Sequence, residues 1–441
     1  MSPRELAEQI CATLRRNGYQ AYLVGGCVRD LVLGREPTDY DVATDARPDR
    51  VQELFPESVS VGAKFGVILV VEGGAEVEVA TFRSDIGYSD GRHPDQVAYS
   101  ASPRDDVQRR DFTINGLLMD PVTRQVLDYV EGQADLRAGI VRAIGDPLAR
   151  FAEDKLRIVR AVRFAARFGY AIEPGTFAAA RELAAQIHRV SPERLREELT
   201  KLLTEGAARR AFELLDDTGL LAHLLPDIAR MKGVEQPPEF HPEGDVWIHT
   251  RLMLEKLAAG CSPTLAWGVL LHDVGKPPTF APPKGPGSRI RFDGHVEIGA
   301  RMAESICRAL RFSNDDTAQI ESLVANHLRF KDVRQMRLAT LKRFVRLPRF
   351  EEHLELHRLD CLASHGSLDS YHFVRRFLDE TPPEIVHPPR LITGEDLKGL
   401  GLRPGPKFKE ILLAVEEAQL DGRLRDKQSA LQFAQEISRR P

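Results

Sequence analysis

The stretch YLVGGCVRDLVLGREPTDYDVAT, residues 22–44, constrains this chain of 441 residues more than any other segment. It predicts a short strand at residues 22–24, a tight turn at Gly25 and Gly26, and a helix that opens at residue 28. Two glycines let backbone N–H groups approach an anion, and the start of a helix favours negative charge. The turn therefore predicts a phosphate site.

A second strand is predicted to carry Asp39 and Asp41. Side chains two residues apart on a strand point to the same face, so the two carboxylates are expected to project together. Neighbouring carboxylates repel each other, and a divalent cation beside them removes the repulsion. A GG turn or a DxD pair alone is more often only a turn or a solvated loop. Together, in this order, they predict nucleotidyl transfer with Mg²⁺.

The segment GGCVRDLVLGREPTDYDVAT resembles the signature of the class II tRNA nucleotidyltransferase and bacterial poly(A) polymerase family. The resemblance implies a head domain of the DNA polymerase β-like type, tRNA as the partner, and CTP and ATP as donors. It also implies that Asp39 and Asp41 are catalytic residues that hold Mg²⁺. Gly25, Gly26 and Arg29 are expected to contact the nucleotide.

A hairpin is predicted from the alternating residues 65–71 and 76–82, which flank Gly73 and Gly74. In its second strand, EVEVATFR, the alternation puts Glu76 and Glu78 on one face and makes them equal candidates for a third acid. The resemblance to the family pattern EVATFR implies that Glu78 is the catalytic one.

Residues 109–118, RRDFTINGLL, are similar to the family motif RRDFTINAL. The resemblance implies that Arg109 and Arg110 bind phosphates, while Asp111 and Asn115 meet ribose hydroxyls. The spacing of Asp111 and Asn115 suits one face of a helix. Upstream, the polar residues 83–108 predict a mobile loop, which resembles the loop of members that incorporate A.

Residues 153–169, EDKLRIVRAVRFAARFG, match the family's base-reading motif EDxxR. An Asp154 acceptor and an Arg157 donor, predicted one helical turn apart, can pair with the edge of cytosine or adenine. Arg160 and Arg163 continue a basic stripe at helical spacing, which Arg167 extends. The stripe predicts nucleotide or phosphate contacts, or a solvated helix face.

A second constellation comprises His249, His272, Asp273, His295, His327 and Asp360. Histidine and carboxylate ligands on a helical scaffold suit divalent metals. The order of these residues around LLHDVGKP resembles the HD superfamily of metal phosphohydrolases. The resemblance implies a bound metal of unknown identity and a hydrolase for RNA ends such as 2′,3′-cyclic phosphates. Asp360 is the least secure ligand, because three more histidines lie nearby: His353, His357 and His365.

Composition excludes few classes of protein. The chain is 42% apolar and 29% charged, as is usual for soluble globular proteins, and no apolar run is long enough to span a bilayer. Residues 1–19 predict an amphipathic helix without the apolar core of a signal peptide. Five cysteines without a CxxC pair indicate reduced thiols, and thus a cytoplasmic protein.

The net charge of −4 gives no bulk attraction to nucleic acid, so basic clusters must be local. Residues 329–349 contain eight basic residues and one acid. Within them, Lys342, Arg343 and Arg346 are predicted to bind the tRNA backbone, or else to form a solvated helix face.

The predicted fold is α+β. We expect a catalytic head at residues 1–146, an all-helical neck at residues 147–232, an HD domain at residues 245–380 and a small helical tail at residues 390–441. One long helix is predicted at residues 151–168. The Pro- and Gly-rich residues 233–244 and 381–389 are predicted to be linkers.

The sequence therefore predicts a tRNA nucleotidyltransferase, most simply one that adds CCA. Within the same chemistry, an enzyme that adds only A or a poly(A) polymerase would carry the same motifs. A rival of another class is an HD phosphohydrolase whose head only binds nucleotide. A non-catalytic RNA-binding protein is disfavoured, because both sets of acids are present.

Overall fold

The structure is a computed structural model that describes residues 1–62, 66–86, 96–285 and 287–439. It forms two compact units. The N-terminal unit comprises Met1–Ala229 with Ala258–Gly260, and the C-terminal unit comprises Arg230–Leu257 with Cys261–Pro441.

The N-terminal unit is built on a sheet of seven strands in the order β3-β4-β5-β2-β1-β8-β9. In this sheet β2 and β5 are parallel, and all other neighbours are antiparallel. Two short pairs, β6-β7 and β10-β11, lie outside it. The strands are β1 (Ala21–Val24), β2 (Asp41–Thr44), β3 (Ser58–Gly62), β4 (Val67–Glu72), β5 (Ala75–Thr81), β6 (Arg83–Ile86), β7 (Gln96–Tyr99), β8 (Leu117–Met119), β9 (Val126–Asp128), β10 (Ile140–Val141) and β11 (Ala171–Ile172).

The predicted hairpin is β4-β5. Its turn residues Gly73 and Gly74 have φ angles of 57° and 81°, which a two-residue hairpin turn requires and which glycine adopts without strain. Along β5, Val77 and Val79 are buried and Glu76 and Glu78 are exposed. The alternation thus puts the acids on the open face of the sheet and the valines in the core.

Helices cover the sheet, and from residue 147 onward they make up the rest of the unit apart from the short strand β11. They are α1 (Pro3–Arg16), α2 (Gly26–Val32), α3 (Pro48–Leu54), α4 (Pro103–Gln108), α5 (Gly132–Ala138), α6 (Pro147–Glu153), α7 (Leu156–Phe168), α8 (Pro174–Leu183), α9 (Pro192–Thr204), α10 (Ala208–Asp217), α11 (Leu220–Leu224) and α12 (Pro226–Ala229). The amphipathic α1 begins with a capping box between Ser2 and Glu5 and buries Leu6, Ile10 and Leu14. Burial of each such side chain contributes about 1.5–3 kcal/mol.

The long helix predicted at residues 151–168 is wrong, because the chain forms two helices there, α6 and α7. Asp154 between them is extended, with φ −146° and ψ 108°, and its carboxylate accepts a hydrogen bond from the Leu156 amide. An aspartate side chain that bonds the backbone in this way competes with the helix ladder. The predicted spacing of Asp154 and Arg157 along one helix therefore does not exist.

Among its described residues, the regular elements of the C-terminal unit are helices, together with two isolated β-bridges. Its helices are α13 (Val246–Glu255), α14 (Pro263–Leu271), α15 (Lys276–Thr279), α16 (His295–Ala309), α17 (Asn314–Asn326), α18 (Leu338–Val345), α19 (Phe350–Ala363), α20 (Asp369–Glu380), α21 (Pro383–Val386), α22 (Gly394–Gly399), α23 (Pro406–Leu420) and α24 (Lys427–Ser438). Short 3₁₀ helices occupy His327–Gln335 in this unit, and Thr113–Asn115 and Ala184–Arg189 in the N-terminal unit. Helix α14 is buried from Thr264 to Leu271, and a Cβ atom on its Gly268 would lie 2.7 Å from Leu323 of α17. Glycine thus allows the close approach of two helices that both end at a candidate metal ligand.

The last helices, α22–α24, bury a cluster of their own that includes Ile392, Leu397, Ile411 and Val415. The separate small tail at residues 390–441 stays a prediction, because this cluster lies within the larger C-terminal unit. By contrast, residues 233–244 are not a free linker, since Gln236 is buried and accepts a hydrogen bond from Lys276. Packing of this segment brings an additional carboxylate to the second site described below.

No helix among the described residues combines the length and the apolar character that a bilayer span requires. All five cysteines are free thiols. Burial raises the pKa of Cys11 and of Cys307 to about 12, so these thiols stay protonated and unreactive.

Candidate active sites

The glycine turn lies directly beside the predicted acids. Strand β1 is followed by Gly25, which has a φ of 78° and donates its amide to the Leu117 carbonyl. A Cβ atom on Gly25 would lie 3.1 Å from Nη1 of Arg110 and 4.0 Å from Oδ2 of Asp41. The turn therefore brings the backbone, an acid and a cation together at one point, as a nucleotide phosphate and its metal would require.

Asp41 and Glu78 are register partners in the parallel strands β2 and β5. Burial raises the pKa of the Asp41 carboxyl to about 6, the negative charges of Glu78 and Asp39 add to the rise, and Arg110 opposes it. Neighbouring carboxylates raise one another's pKa because their negative charges repel. A divalent cation would remove this repulsion and stabilise the ionised form. The crowding of carboxylates therefore fits Mg²⁺.

The acid pair differs from the expectation in one respect. Asp39 is exposed and precedes β2, which begins only at Asp41, so the two carboxylates are not on one strand.

The register of the strands also distinguishes the two candidates for the third acid on β5. Glu78 lies opposite Asp41, whereas Glu76 pairs only with Val71 inside the hairpin. The geometry thus favours Glu78 as the third acid.

Asp111 is the centre of a buried polar network. Its carboxylate accepts Nη2 of Arg160 at 2.7 Å and Nδ2 of Asn115 at 3.1 Å, while Oδ1 of Asn115 accepts Nη1 of Arg29 at 2.7 Å. Burial acts to raise the pKa of Asp111, but the charge of Arg160 and the two hydrogen bonds lower it to about 2. The network joins α2 to α7 through four of the predicted nucleotide-binding residues.

The predicted helix through Asp111 and Asn115 is wrong. Phe112 is extended, with φ −128° and ψ 150°, and only a 3₁₀ turn follows it. The two side chains still meet, because Asn115 donates directly to Asp111. Their contact comes from the turn and not from the spacing of an α-helix.

Arg109 and Arg110 share one buried carboxylate. Nη2 of Arg109 lies 2.6 Å from Oδ1 of Asp106, and Nη2 of Arg110 lies 3.0 Å from Oδ2. Burial acts to raise the pKa of Asp106, but the two guanidinium groups lower it overall. Asp106 therefore fixes both arginines at the end of α4, with Nη1 of Arg110 next to Gly25.

The residues of the EDxxR motif have separate partners. Asp154 accepts both guanidinium nitrogens of Arg194, at 2.7 and 3.2 Å. Arg157 donates to Glu153 at 2.5 Å and to the carbonyl oxygen of Arg109 at 3.3 Å. These contacts place Arg157 next to the RRD segment and tie Asp154 to α9.

The basic stripe of α7 is neutralised by neighbouring acids and is not an open phosphate track. Arg163 is 7% exposed and pairs with Glu198 at 2.8 Å and Glu205 at 3.0 Å. Arg167 lies 3.6 Å from the same Glu205. The stripe thus fastens α7 to α9, and Arg163 is left without geometric support as a nucleotide ligand.

The C-terminal unit gathers the second constellation. His272, His295 and His327 each place Nδ1 within 2.7–2.8 Å of the carbonyl oxygen three residues earlier. Each therefore donates from Nδ1 and leaves the lone pair of Nε2 free. All three Nε2 atoms are buried without a hydrogen-bond partner among the described residues. This is the arrangement expected of histidines that ligate a metal.

The six predicted ligands form two adjacent groups that could each hold a cation. One comprises His249, His272 and Asp360, and the other comprises Asp273, His295 and His327. Nε2 of His249 lies 3.1 Å from Asp360, and Nε2 of His327 lies 3.8 Å from Oδ1 of Asp273. All six predicted ligands are therefore brought together.

The electrostatics of these groups fit a bound cation. Burial lowers the pKa of His327 to about 4, so this imidazole is neutral, as a ligand must be. Burial acts to lower the pKa of His249 as well, but its bonds to Asp360 and Glu243 raise it to about 9. Positive charge is thus strongly favoured between these two carboxylates.

The competing histidines have other partners. The ring of His357 stacks on Phe330, with centroids 4.4 Å apart, and His353 is buried near Ser322. His365 bonds the amide of Ser367. The geometry therefore favours Asp360 as the ligand from α19.

Two polar residues of this site were missed in the sequence. Lys276 lies 2.7 Å from Oδ2 of Asp273, and Glu243 lies 2.7 Å from Nδ1 of His249. Lys276 belongs to the quoted LLHDVGKP stretch and could have been found there. Glu243 had no signal, because the Pro- and Gly-rich composition around it predicts a linker.

A cleft of about 510 Å³ opens beside these ligands. Its walls include the cations Lys276, Arg289 and Lys331 and the rings of Phe240 and Phe292. Cations and aromatic faces are the groups that bind phosphates and bases.

The predicted RNA-binding cluster is largely covered by the tail. Lys342 is 6% exposed and donates to the carbonyl oxygen of Leu420 at 2.7 Å. Arg346 pairs with Glu416 at 2.9 Å, and Arg343, the most exposed of the three basic residues, lies 3.5 Å from Glu417. The geometry therefore gives Lys342 a role in docking α23, and it does not favour a contact of Lys342 with RNA.

Family models match three consecutive parts of the chain: the Poly A polymerase head domain at residues 21–142, the probable RNA- and SrmB-binding site of polymerase A at residues 169–232, and the HD domain at residues 245–359. The CCA-adding enzyme of Geobacillus sp. (strain WCH70) is 43% identical over 222 residues, which are 50% of this chain and 55% of that protein. That of Levilactobacillus brevis is 43% identical over 228 residues, 52% and 57% of the two chains. The match thus spans about half the length of these curated relatives.

Solved structures resemble the whole chain. The Bacillus stearothermophilus CCA-adding enzyme in complex with CTP superposes with a TM-score of 0.74 at 27% identity, over 99% of this chain and 98% of that one. The Thermotoga maritima CCA-adding enzyme complexed with tRNA shares the fold, with a TM-score of 0.58 at 19% identity over 98% and 94%. The chain thus carries a Poly A polymerase head domain and an HD domain, and along its length it is similar to solved CCA-adding enzymes.

Proposed function

We propose that the N-terminal unit adds C, C and A from CTP and ATP to the 3′ end of tRNA without a nucleic-acid template. The observation that carries this proposal is the register of Asp41 against Glu78, with Arg110 and the Gly25 turn beside them. The relatives named CCA-adding enzymes and the complex of one with CTP support the same substrates.

The carboxylates of Asp39 and Asp41 would hold Mg²⁺, which supplies charge neutralisation for the phosphates and activation of the RNA hydroxyl. Arg109 and Arg110 would bind the phosphates of the donor. The network of Arg29, Asp111, Asn115 and Arg160 would position the ribose. Glu78, opposite Asp41, would orient the 3′ end.

Base selection would fall to Asp154 and Arg157. A carboxylate accepts from the exocyclic amino group of cytosine or adenine, where uracil and guanine have a carbonyl oxygen instead, and a guanidinium donates to the unprotonated ring nitrogen beside it. The bonds of Asp154 to Arg194 and of Arg157 to Glu153 hold both groups before a base arrives. The segment that favours A addition is bounded by the ribbon β6-β7, and its residues 87–95 lie outside the described residues.

One set of incubations tests this proposal against its rivals: purified chain, either tRNA that lacks CCA or tRNA that ends in CC, Mg²⁺, and labelled CTP or ATP given singly and together. CCA addition requires C from CTP alone and a terminal A only after both Cs. Addition of A only to tRNA that already ends in CC would identify an A-adding enzyme. Long A tails would identify a poly(A) polymerase. No addition at all would favour the HD phosphohydrolase with a head that only binds nucleotide.

A second function, metal-dependent hydrolysis of phosphoesters, is favoured by the buried Nε2 atoms of His272, His295 and His327. Divalent cations held by these residues with His249, Asp273 and Asp360 would supply Lewis acidity. Lys276 and Lys331 would bind the phosphate in the cleft. RNA ends that carry a 2′,3′-cyclic phosphate suit this site, because they block the hydroxyl needed for nucleotide addition. Such a pair of activities on tRNA fits a cytoplasmic protein.

The test is metal analysis of protein purified without chelators, followed by hydrolysis of tRNA ends that carry a 2′,3′-cyclic phosphate. Mn²⁺, Ni²⁺ and Mg²⁺ are supplied in separate reactions. Bound metal and release of the cyclic ester support the assignment. Absence of both would leave the C-terminal unit as a scaffold.

A further inference from the structure

His249 is fixed differently from the other three histidines of the C-terminal unit. His272, His295 and His327 donate Nδ1–H to a backbone carbonyl. Nδ1 of His249 instead lies 2.7 Å from Oε1 of Glu243. Glu243 belongs to none of the motifs that the sequence displays, and its side chain is 7% exposed.

The difference follows from the position of His249 in its helix. The other three histidines stand at helix ends, where carbonyl groups are free of the α-helical ladder. His249 lies inside α13, where the carbonyl three residues earlier, that of Val246, accepts the Thr250 hydroxyl at 2.9 Å. The backbone therefore offers His249 no free acceptor, and a side chain has to supply one.

The segment before α13 is anchored so that Glu243 reaches His249. Asp245 caps α13 through the Ile248 amide at 2.7 Å and also accepts the Gly233 amide at 2.8 Å. The Val246 amide donates to the Val234 carbonyl at 3.0 Å. These bonds connect residues 233–234 with residues 245–246. The carboxylate of Glu243, which lies between them in the chain, is thereby held against the imidazole of His249.

We propose that Glu243 is a positioning residue of the cation site, which holds His249 with its proton on Nδ1 and aims Nε2 toward Asp360. The inference rests on the proposed metal function of the C-terminal unit. A carboxylate behind a ligating histidine fixes the ring and strengthens it as a ligand, and loss of such a partner typically weakens metal affinity by roughly 10- to 100-fold.

Glu243 has a second donor, which provides a matched control. Nδ1 of His241 lies 2.8 Å from the same Oε1 atom. Replacement of His241 removes this bond and leaves the bond to His249 in place. His241→Ala should therefore bind metal as the wild type does, and so should Glu239→Gln, which changes an exposed acid of the same segment.

The test uses the full chain, stripped of metal and titrated with Mn²⁺ or Co²⁺ against a chromophoric chelator. Glu243→Ala should bind the tightest equivalent roughly 10- to 100-fold more weakly than the wild type. Glu243→Gln keeps the shape of the side chain but not its charge, and it should bind more weakly than the wild type too. The unfolding temperature of the metal-free proteins, followed by the fluorescence of Trp247 and Trp267, should stay unchanged, while the rise caused by metal should shrink.

The outcomes separate the two proposals. Wild-type affinity in both Glu243 variants overturns the inference and leaves the proposed metal site standing. If His241→Ala weakens metal binding as much as the Glu243 variants do, the inference is also overturned, because Glu243 would then act through His241 and not through His249. A wild type that binds neither cation overturns the metal site and the inference together. If Glu243→Ala fails to fold, the isosteric Glu243→Gln decides alone.

Discussion

Asp41 and Glu78 stand opposite each other on two parallel strands, β2 and β5, of an otherwise antiparallel sheet. Parallel pairing brings together acids that are 37 positions apart in the chain, a distance given by their residue numbers. The negative charge of Glu78 contributes to the raised pKa of Asp41. This relationship gives the proposed transfer reaction its metal-binding position.

Loss of the central acid should abolish nucleotide addition. We expect Asp41→Asn to lower the rate of addition by at least about 100-fold, because outer partners of a metal ligand already cost about 10- to 100-fold and a ligand itself should cost more. The rate is measured by extension of tRNA that lacks CCA. Glu76→Gln, which changes the acid that pairs only within the hairpin, is the control and should stay near wild type. If Asp41→Asn added nucleotides as fast as the wild type, the proposed nucleotidyl transfer site would be refuted.

Base choice should depend on Arg157. Arg157→Ala removes the proposed donor to the base and should relax the preference for CTP and ATP over UTP and GTP, measured by competition between labelled nucleotides. Arg167→Ala removes another arginine of the same helix, one that pairs with Glu205, and should keep the preference. Unchanged selection in Arg157→Ala would show that the motif only supports the fold.

Acid should weaken the N-terminal unit through Asp111. Its pKa is lowered to about 2 in the folded chain, so its ionisation stabilises the fold above about pH 4, and this stabilisation is lost as the pH falls toward 2. A shift of nearly two pKa units corresponds to ~2 kcal/mol. Asp111→Asn should therefore lower the free energy of unfolding by ~2 kcal/mol at neutral pH and flatten its fall in acid.

Far-UV circular dichroism in urea can follow this transition. Both tryptophans, Trp247 and Trp267, lie in the C-terminal unit, so their fluorescence reports that unit separately. Asp49→Asn at an exposed position should leave the profile unchanged. An Asp111→Asn profile as steep as that of the wild type would contradict the assignment.

Substitutions of Lys342 and Arg343 should have different effects, the first on the stability of the fold and the second on RNA binding. Lys342→Met leaves the Leu420 carbonyl without its charged donor and should cost about 1.5–3 kcal/mol of stability, measured by urea unfolding. If the exposed Arg343 contacts the tRNA backbone, Arg343→Gln should reduce the slope of log affinity against log salt by about 1. A reduced salt slope in Lys342→Met, with unchanged stability, would restore the original prediction for that residue.

The two activities should be separable by mutation. His272→Ala combined with Asp273→Ala removes one ligand from each cation group, so bound metal and phosphoester hydrolysis should both be lost. Nucleotide addition to an intact 3′ end should persist, because its acids lie in the other unit. Metal content and the two assays are measured on the same preparation. Loss of addition together with hydrolysis would contradict separate sites.

Local sequence patterns predicted the structure correctly at positions where the backbone conformation or the burial pattern favours one type of residue. Gly73 and Gly74 predicted their hairpin because only glycine adopts both positive φ angles at little cost. The alternation of β5 likewise identified its buried face. It could not distinguish Glu76 from Glu78, because that choice depends on the register with β2, a contact between distant parts of the chain.

Charges were harder to interpret from the sequence. The arginines of α7 form a stripe, but the acids that neutralise Arg163 come from α9 and beyond, and no local pattern reveals them. Lys342 is buried for the same reason, since the tail covers it. Glu243 was overlooked because the composition around it is that of a linker. Its role follows only from the fold that brings it to His249.

The most direct test of the account is sequencing of the RNA ends produced when the purified chain, Mg²⁺, CTP and ATP act on tRNA that lacks CCA. The account predicts that ends accumulate with C, C and A in this order and that growth then stops. It also predicts that Asp41→Asn yields unextended ends under the same conditions. Unextended ends from the folded wild-type chain, or A added directly to the truncated tRNA, would contradict the account.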